Sequence, residues 1–156
     1  MTSNARFSSN DTHHDTRHDK QRVLLIGLLV GLLLNLSGWL GNNLLLDDMW
    51  ASVAVPDYSS PWRGTLWREV FSLLPDVLYG LMIAWLCARL RPAYDSMHAA
   101  ALRAGIAVSL TGGITTYFAI ANSGFILWQL ALASFVLVLI TKIPLALLAG
   151  KLIERP

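Results

Sequence analysis

Asp76 stands in the stretch "SLLPDVLYG", residues 72–80, within a long apolar run. A carboxylate there has three uses. It can be held protonated and silent. It can bond a polar neighbour, with Asn35, Ser109, Thr111 and the backbone freed by Pro75 as the candidates. It can line a wet path and pass protons or cations. A charged aspartate at a bilayer centre costs about 2.5–3.5 kcal/mol, so an acid at that depth needs a reason to be there. Structural bonding is the simpler reading, because no second acid lies at similar depth; proton or ion handling is the alternative. Lys142 is a second intramembrane charge, in the apolar stretch from Phe125 to Gly150.

Other residue groups offer less. The segment "DTHHDTRHDK" sets His14 and His18 four residues apart among Asp11, Asp15 and Asp19. On a helix that spacing suits a divalent metal, but nothing downstream completes a ligand set, and a disordered polar tail is the expected state. The chain has no HExxH, CxxC, Walker or GxSxG signature. His98 reads as an interfacial residue and the single cysteine, Cys87, as a packing residue. No catalytic residue, metal or cofactor is expected, and the role is expected to be non-enzymatic. A net charge of +2 is too small to argue for nucleic acid.

These polar groups must be positioned by membrane helices. Of the 156 residues 54% are hydrophobic and 14% charged, with a mean hydropathy of +0.51. A soluble domain carries about 25% charge. The apolar runs are long, continuous and rich in Leu and Ala, which suits helices of about 20 residues and not barrel strands. The run from Val23 to Leu46 exceeds the roughly 7–15 residues of a signal-peptide core, so it reads as an uncleaved span. The expected fold is all-α, a bundle of four transmembrane helices. The spans fall at about 22–46, 65–90, 98–123 and 125–153, after a polar tail over 1–21 expected to be disordered. The fourth is long for a bilayer and contains Pro144. It should tilt, kink there, or end near Lys142.

Orientation follows from the basic residues. Arg6, Arg17, Lys20, Arg22, Arg89, Arg91, Arg103, Lys151 and Arg155 fall on one side; only Arg63 and Arg68 fall on the other. Both termini are therefore expected in the cytoplasm. Trp50, Trp62, Trp67 and Trp128 would then lie near the outer interface, where "AVPDYSSPWRGTLW" can form a surface segment, a cap or a partner surface.

Helix faces give the packing. Gly27, Gly31, Asn35, Gly38 and Asn42 share one side of the first span at 100° per residue. Glu69, Ser72, Asp76, Gly80 and Cys87 share a side of the second. Ala101, Gly105, Ser109, Gly112 and Thr116 share a side of the third. Small residues let membrane helices approach closely. These stripes should face inward, with the bulky side chains toward lipid; the alternative turns the first stripe toward another subunit. Counted from the basic ends, Asn35, Asp76 and the Ser109–Thr111 region lie roughly 20 Å deep, in one layer. Lys142, counted from Gly150, lies only about 12 Å deep.

Two elements, "GLLLNLSGWLGNNLLLDDMW" and "ARLRPAYDSMHAAALRAGIAV", carry a resemblance. The chain resembles a loose group of small, uncharacterised bacterial four-helix membrane proteins. They pair an N-x-x-G-W element, here Asn35, Gly38 and Trp39, with a basic R-P turn, here Arg91 and Pro92. The turn continues as Ala93, Tyr94 and Asp95, where a more basic, glycine-containing turn would be expected. The resemblance implies architecture and no activity. The expectation is a protein of the bacterial inner membrane, with the lipid bilayer and either a larger membrane complex or further copies of itself as partners. The first functional reading is an accessory or scaffold subunit. The second is a small transporter or channel-like protein using Asp76.

Overall fold

The structure, a computed structural model, describes residues 11–53 and 66–155, with side chains outside the description at 11–18, 66–69 and 71–72. Helix α1 spans Asp11–Leu45 and the short α2 spans Asp47–Ala51. Helix α3 spans Leu66–Leu90 and leads through a 3₁₀ turn, Arg91–Ala93, into α4, Met97–Gly113. A π-helical segment, Ile114–Phe118, continues α4 into α5, Ala119–Asn122; α6 spans Trp128–Glu154. No strand occurs among the described residues. Four of these stretches are long and apolar enough to cross a membrane: Asp19–Leu45, Leu73–Ala93, Met97–Asn122 and Trp128–Glu154. The fold is an all-α four-helix bundle of a multi-pass membrane protein.

Local chemistry sets the ends. Ser96 caps α4, its hydroxyl accepting from Ala99 N–H at 3.2 Å, an N-cap bond of the usual kind. Gly124 sits at φ +77° in the short linker before α6, a left-handed conformation that glycine adopts without a Cβ clash. The fourth long helix starts at Trp128, not Phe125, because this turn takes up residues 123–126 and Leu127 is extended. It also runs unbroken through Pro144 to Glu154, so it does not end at Lys142. Its 27 residues measure about 40 Å, so tilt in a bilayer of ordinary thickness remains expected. Helix α1 is described from Asp11 and takes in polar residues 11–21.

The main pairings are α1 with α3 and α4 with α6, cross-linked by α1 with α6 and α3 with α4. The α1–α3 crossing is made by glycines. A Cβ built on Gly31 would lie 2.6 Å from Val77 Cα, and one on Gly27 would lie 2.8 Å from Leu81 Cα. Gly80 faces the backbone of Gly27 and Gly31 in return. The Gly27–Gly31 pair is thus used inside the chain. Gly105 packs on Ala146 and Ile143 of α6. Around these contacts lies a core of small and β-branched residues, among them Val30, Ile83, Ala84, Ala100, Ala104, Val108, Ala146 and Ala149. Leu24, Leu28, Leu32, Leu36, Leu78, Leu110, Leu132, Val136 and Ile140 are exposed. Bulky apolar side chains outside and small ones inside is the distribution expected when lipid is the solvent.

Candidate functional site

Away from the basic end, the four long helices do not close on each other. They leave a cavity of about 590 Å³ lined by Asn35, Gly38, Asn42, Asp76, Tyr79, Gly112, Thr116, Tyr117, Thr141 and Lys142, with apolar neighbours from α1 and α6. Asn35, Gly38 and Asn42 reach it because spacings of three and four keep them on one face of α1. Asp76 and Tyr79, three apart on α3, do the same. Gly112 gives Tyr79 room: a Cβ there would lie 2.7 Å from the phenol oxygen. Gly38 has open space above it.

Asn35 Nδ2 donates to Asp76 Oδ2 at 3.0 Å. Lys142 is only 6% exposed and places its Nζ over the Tyr79 ring, 3.4 Å from the centroid. None of the described hydrogen bonds uses that ammonium, and Asp76 takes its bond from Asn35, so the two opposite charges face one space without a direct pair. Cation–π contact with tyrosine gives an ammonium partial compensation, about 0.5–1 kcal/mol where water reaches it. No hydrogen bond among the described residues supplies the rest. At the mouth, Trp50 Nε1 of α2 donates to Asn42 Oδ1 at 3.0 Å, and Asn42 Nδ2 donates to Gly38 O at 2.8 Å.

Of the four residues expected in one polar layer, Asn35 and Asp76 are brought together. Ser109 is buried and donates back to Gly105 O at 2.7 Å in its own helix. Thr111 is exposed and donates to Ala107 O at 2.8 Å. Neither lines the cavity. Lys142 does, for two reasons. The helix extends past Gly150, and Arg22 Nη2 donates to Leu152 O at 2.8 Å, which puts the level of Arg22 at Leu152. Counted from there Lys142 Cα lies roughly 15 Å deep. Its side chain then leans toward the start of α6, as helical side chains do, and so further from the basic end.

Tyr79, Thr141 and Tyr117 join the site without having been singled out. Tyr79 was readable, one turn after Asp76. Tyr117 was not, because it depends on the π-helical segment. That segment inserts an extra residue per turn, and Thr116 and Tyr117 both reach the cavity from it. Such interruptions recur at functional sites. Phe118 anchors the segment against Trp128 and Phe135, with ring centroids 5.8 and 5.5 Å apart. Trp62, Trp67, Arg63, Arg68, Glu69, Ser72 and the pair His14 and His18 lie outside the residues whose side chains are described. Among the described residues Cys87 is fully buried, 3.8 Å from Ala146 O.

No family model, curated protein or solved structure matches the chain. The site's own geometry is therefore the ground for a functional reading.

Proposed function

We propose that this protein handles a small polar solute or ion, protons included, in an intramembrane vestibule built around Asp76 and Lys142. The observation that carries the reading is a carboxylate and a buried ammonium facing one open cavity without pairing to each other. Two opposite charges left apart in the membrane are costly unless water or a solute stands between them. The cavity lies within the range of small-ligand pockets, about 300–1,000 Å³. In this reading Asp76 takes the proton or cation and Asn35 fixes its orientation. Lys142 sets the field in the cavity, and Asn42 with Trp50 forms the mouth. The role is non-enzymatic and needs no cofactor. The basic end faces the cytoplasm, which the distribution of Arg and Lys supports, and the membrane is a bacterial inner membrane, as the resemblance implies.

The test is ion or proton flux into liposomes carrying the purified full chain. Flux above protein-free liposomes, lost in Asp76→Asn with the fold intact, is the expected result. No flux under any gradient would remove the reading. A second reading, an accessory subunit of a larger complex or a homo-oligomer, draws on Gly38 and Trp39. Gly38 has nothing packed on it and Trp39 is 61% exposed beside it, so another chain has room to close the cavity. Native mass spectrometry in mild detergent separates the two: a stoichiometric partner favours the second.

A further inference from the structure

We propose that the groove between α1 and α3 at the basic end is a binding site for one anionic phospholipid. The groove holds about 770 Å³ and lies on the Arg22 side of the glycine crossing. Val23, Leu24, Leu81, Met82 and Trp85 form its wall and are almost wholly apolar there. Leu24, Met82 and Trp85 are exposed, as side chains that meet an acyl chain must be. At the mouth stand Lys20, Arg89 and Asp19. Arg89 holds its guanidinium 5.8 Å from the centre of the Trp85 ring, which joins the charged mouth to the apolar wall.

Charge selects the headgroup. Among the described residues of the mouth, Lys20, Arg89 and Asp19 sum to one positive charge, which a single phosphodiester neutralises. A zwitterionic lipid adds no net charge and leaves the mouth unbalanced. Basic pockets between membrane helices at the cytoplasmic face commonly take anionic headgroups, and tryptophan at this level belongs to the interfacial belt. The neighbouring groove between α1 and α6 also has two arginines, Arg22 and Arg155. There the Arg22 guanidinium already donates to Leu152 O, so the α1–α3 groove is the better phosphate site. The inference is independent of what the vestibule does.

The experiment uses the full chain in detergent micelles with brominated-acyl phosphatidylglycerol, phosphatidylethanolamine or phosphatidylcholine of equal chain length. The share of quenching due to Trp85 is the difference between the wild type and Trp85→Phe. Phosphatidylglycerol should quench that share at a mole fraction well below the zwitterionic lipids. Lys20→Gln and Arg89→Gln should each weaken it about fivefold, the factor matching about 1 kcal/mol per basic group at an anionic surface. Arg91→Gln, which removes an exposed charge at the same end, should leave the preference intact. Met82→Phe, which fills part of the groove without touching its charges or adding a tryptophan, should lower the Trp85 share of quenching by all three lipids. Equal quenching by the three lipids in the wild type would overturn the proposal. So would a preference that survives loss of both Lys20 and Arg89, or one lost equally in Arg91→Gln.

Discussion

The two halves of this bundle are packed differently. Toward the basic end, Gly27, Gly31 and Gly80 bring α1 and α3 to backbone contact, and Ala100, Ala104, Gly105, Ala146 and Ala149 close α4 on α6. Among the described residues no charged side chain is buried there. Toward the other end the same helices carry Asn35, Asp76, Tyr79, Tyr117 and Lys142, and they stand apart around a cavity. The difference shows what each half is built for. Close packing of small residues is how membrane helices gain stability without a hydrophobic driving force between them. The open half keeps some close contacts, Gly41 against Leu137 and Gly113 against Phe135, but it opens around two charges, which it retains for a purpose other than stability.

The largest effect should come from breaking the closed half. Gly80→Ala puts a methyl group against the backbone of Gly27 and Gly31. It should lower stability by about 3 kcal/mol, the upper range for overpacking, seen as loss of the monodisperse fold in detergent. Gly38→Ala is the matched control in the open half. With nothing within 4 Å of the new Cβ, it should be neutral or gain up to about 1 kcal/mol from helix propensity. Equal damage from the two would mean that the halves do not differ.

Asp76 comes next. Asp76→Leu strands the Asn35 amide and should lower stability by about 1–3 kcal/mol, the penalty for an unpaired polar group. Asp76→Asn keeps a partner for Asn35 and should leave thermal unfolding almost unchanged while abolishing flux. A stability loss as large with Asn as with Leu would assign the carboxylate a role that neither bonding nor proton handling explains. Smaller again is Ser134→Ala. The Ser134 hydroxyl is buried without a hydrogen-bond partner among the described residues, and its removal should raise stability by about 1 kcal/mol. Thr111→Val, on the exposed side of α4, should alter stability by less than about 0.5 kcal/mol and leave flux untouched.

The bundle was legible in the sequence because hydropathy and helix length leave few alternatives for four long apolar runs. The glycine stripe of α1 was legible because helical spacing is regular. The site was legible only in part. Asn35 and Asp76 could be matched by depth along their helices, but Ser109 and Thr111 matched the same depth and point elsewhere. Depth fixes one coordinate and helix rotation fixes the other. Lys142 reads as too shallow when its depth is counted from Gly150, short of the end of the span, and when the lean of a helical side chain is not added. Tyr117 depended on a π-helical interruption that its own residues, "ITTYF", do not announce.

The account's central claim is that the vestibule is wet and the opposite half is dry. The direct measurement is thiol accessibility in membranes, with a small charged methanethiosulfonate reagent added to the outer side. Cys87, fully buried in the closed half, is the internal reference. In Lys142→Cys the introduced thiol should be modified while Cys87 stays unreacted. Adding Asp76→Asn should leave that labelling in place, since the cavity and not the carboxylate admits the reagent. A thiol at position 142 that stays as inert as Cys87 would contradict the account and make the charged layer a sealed structural element.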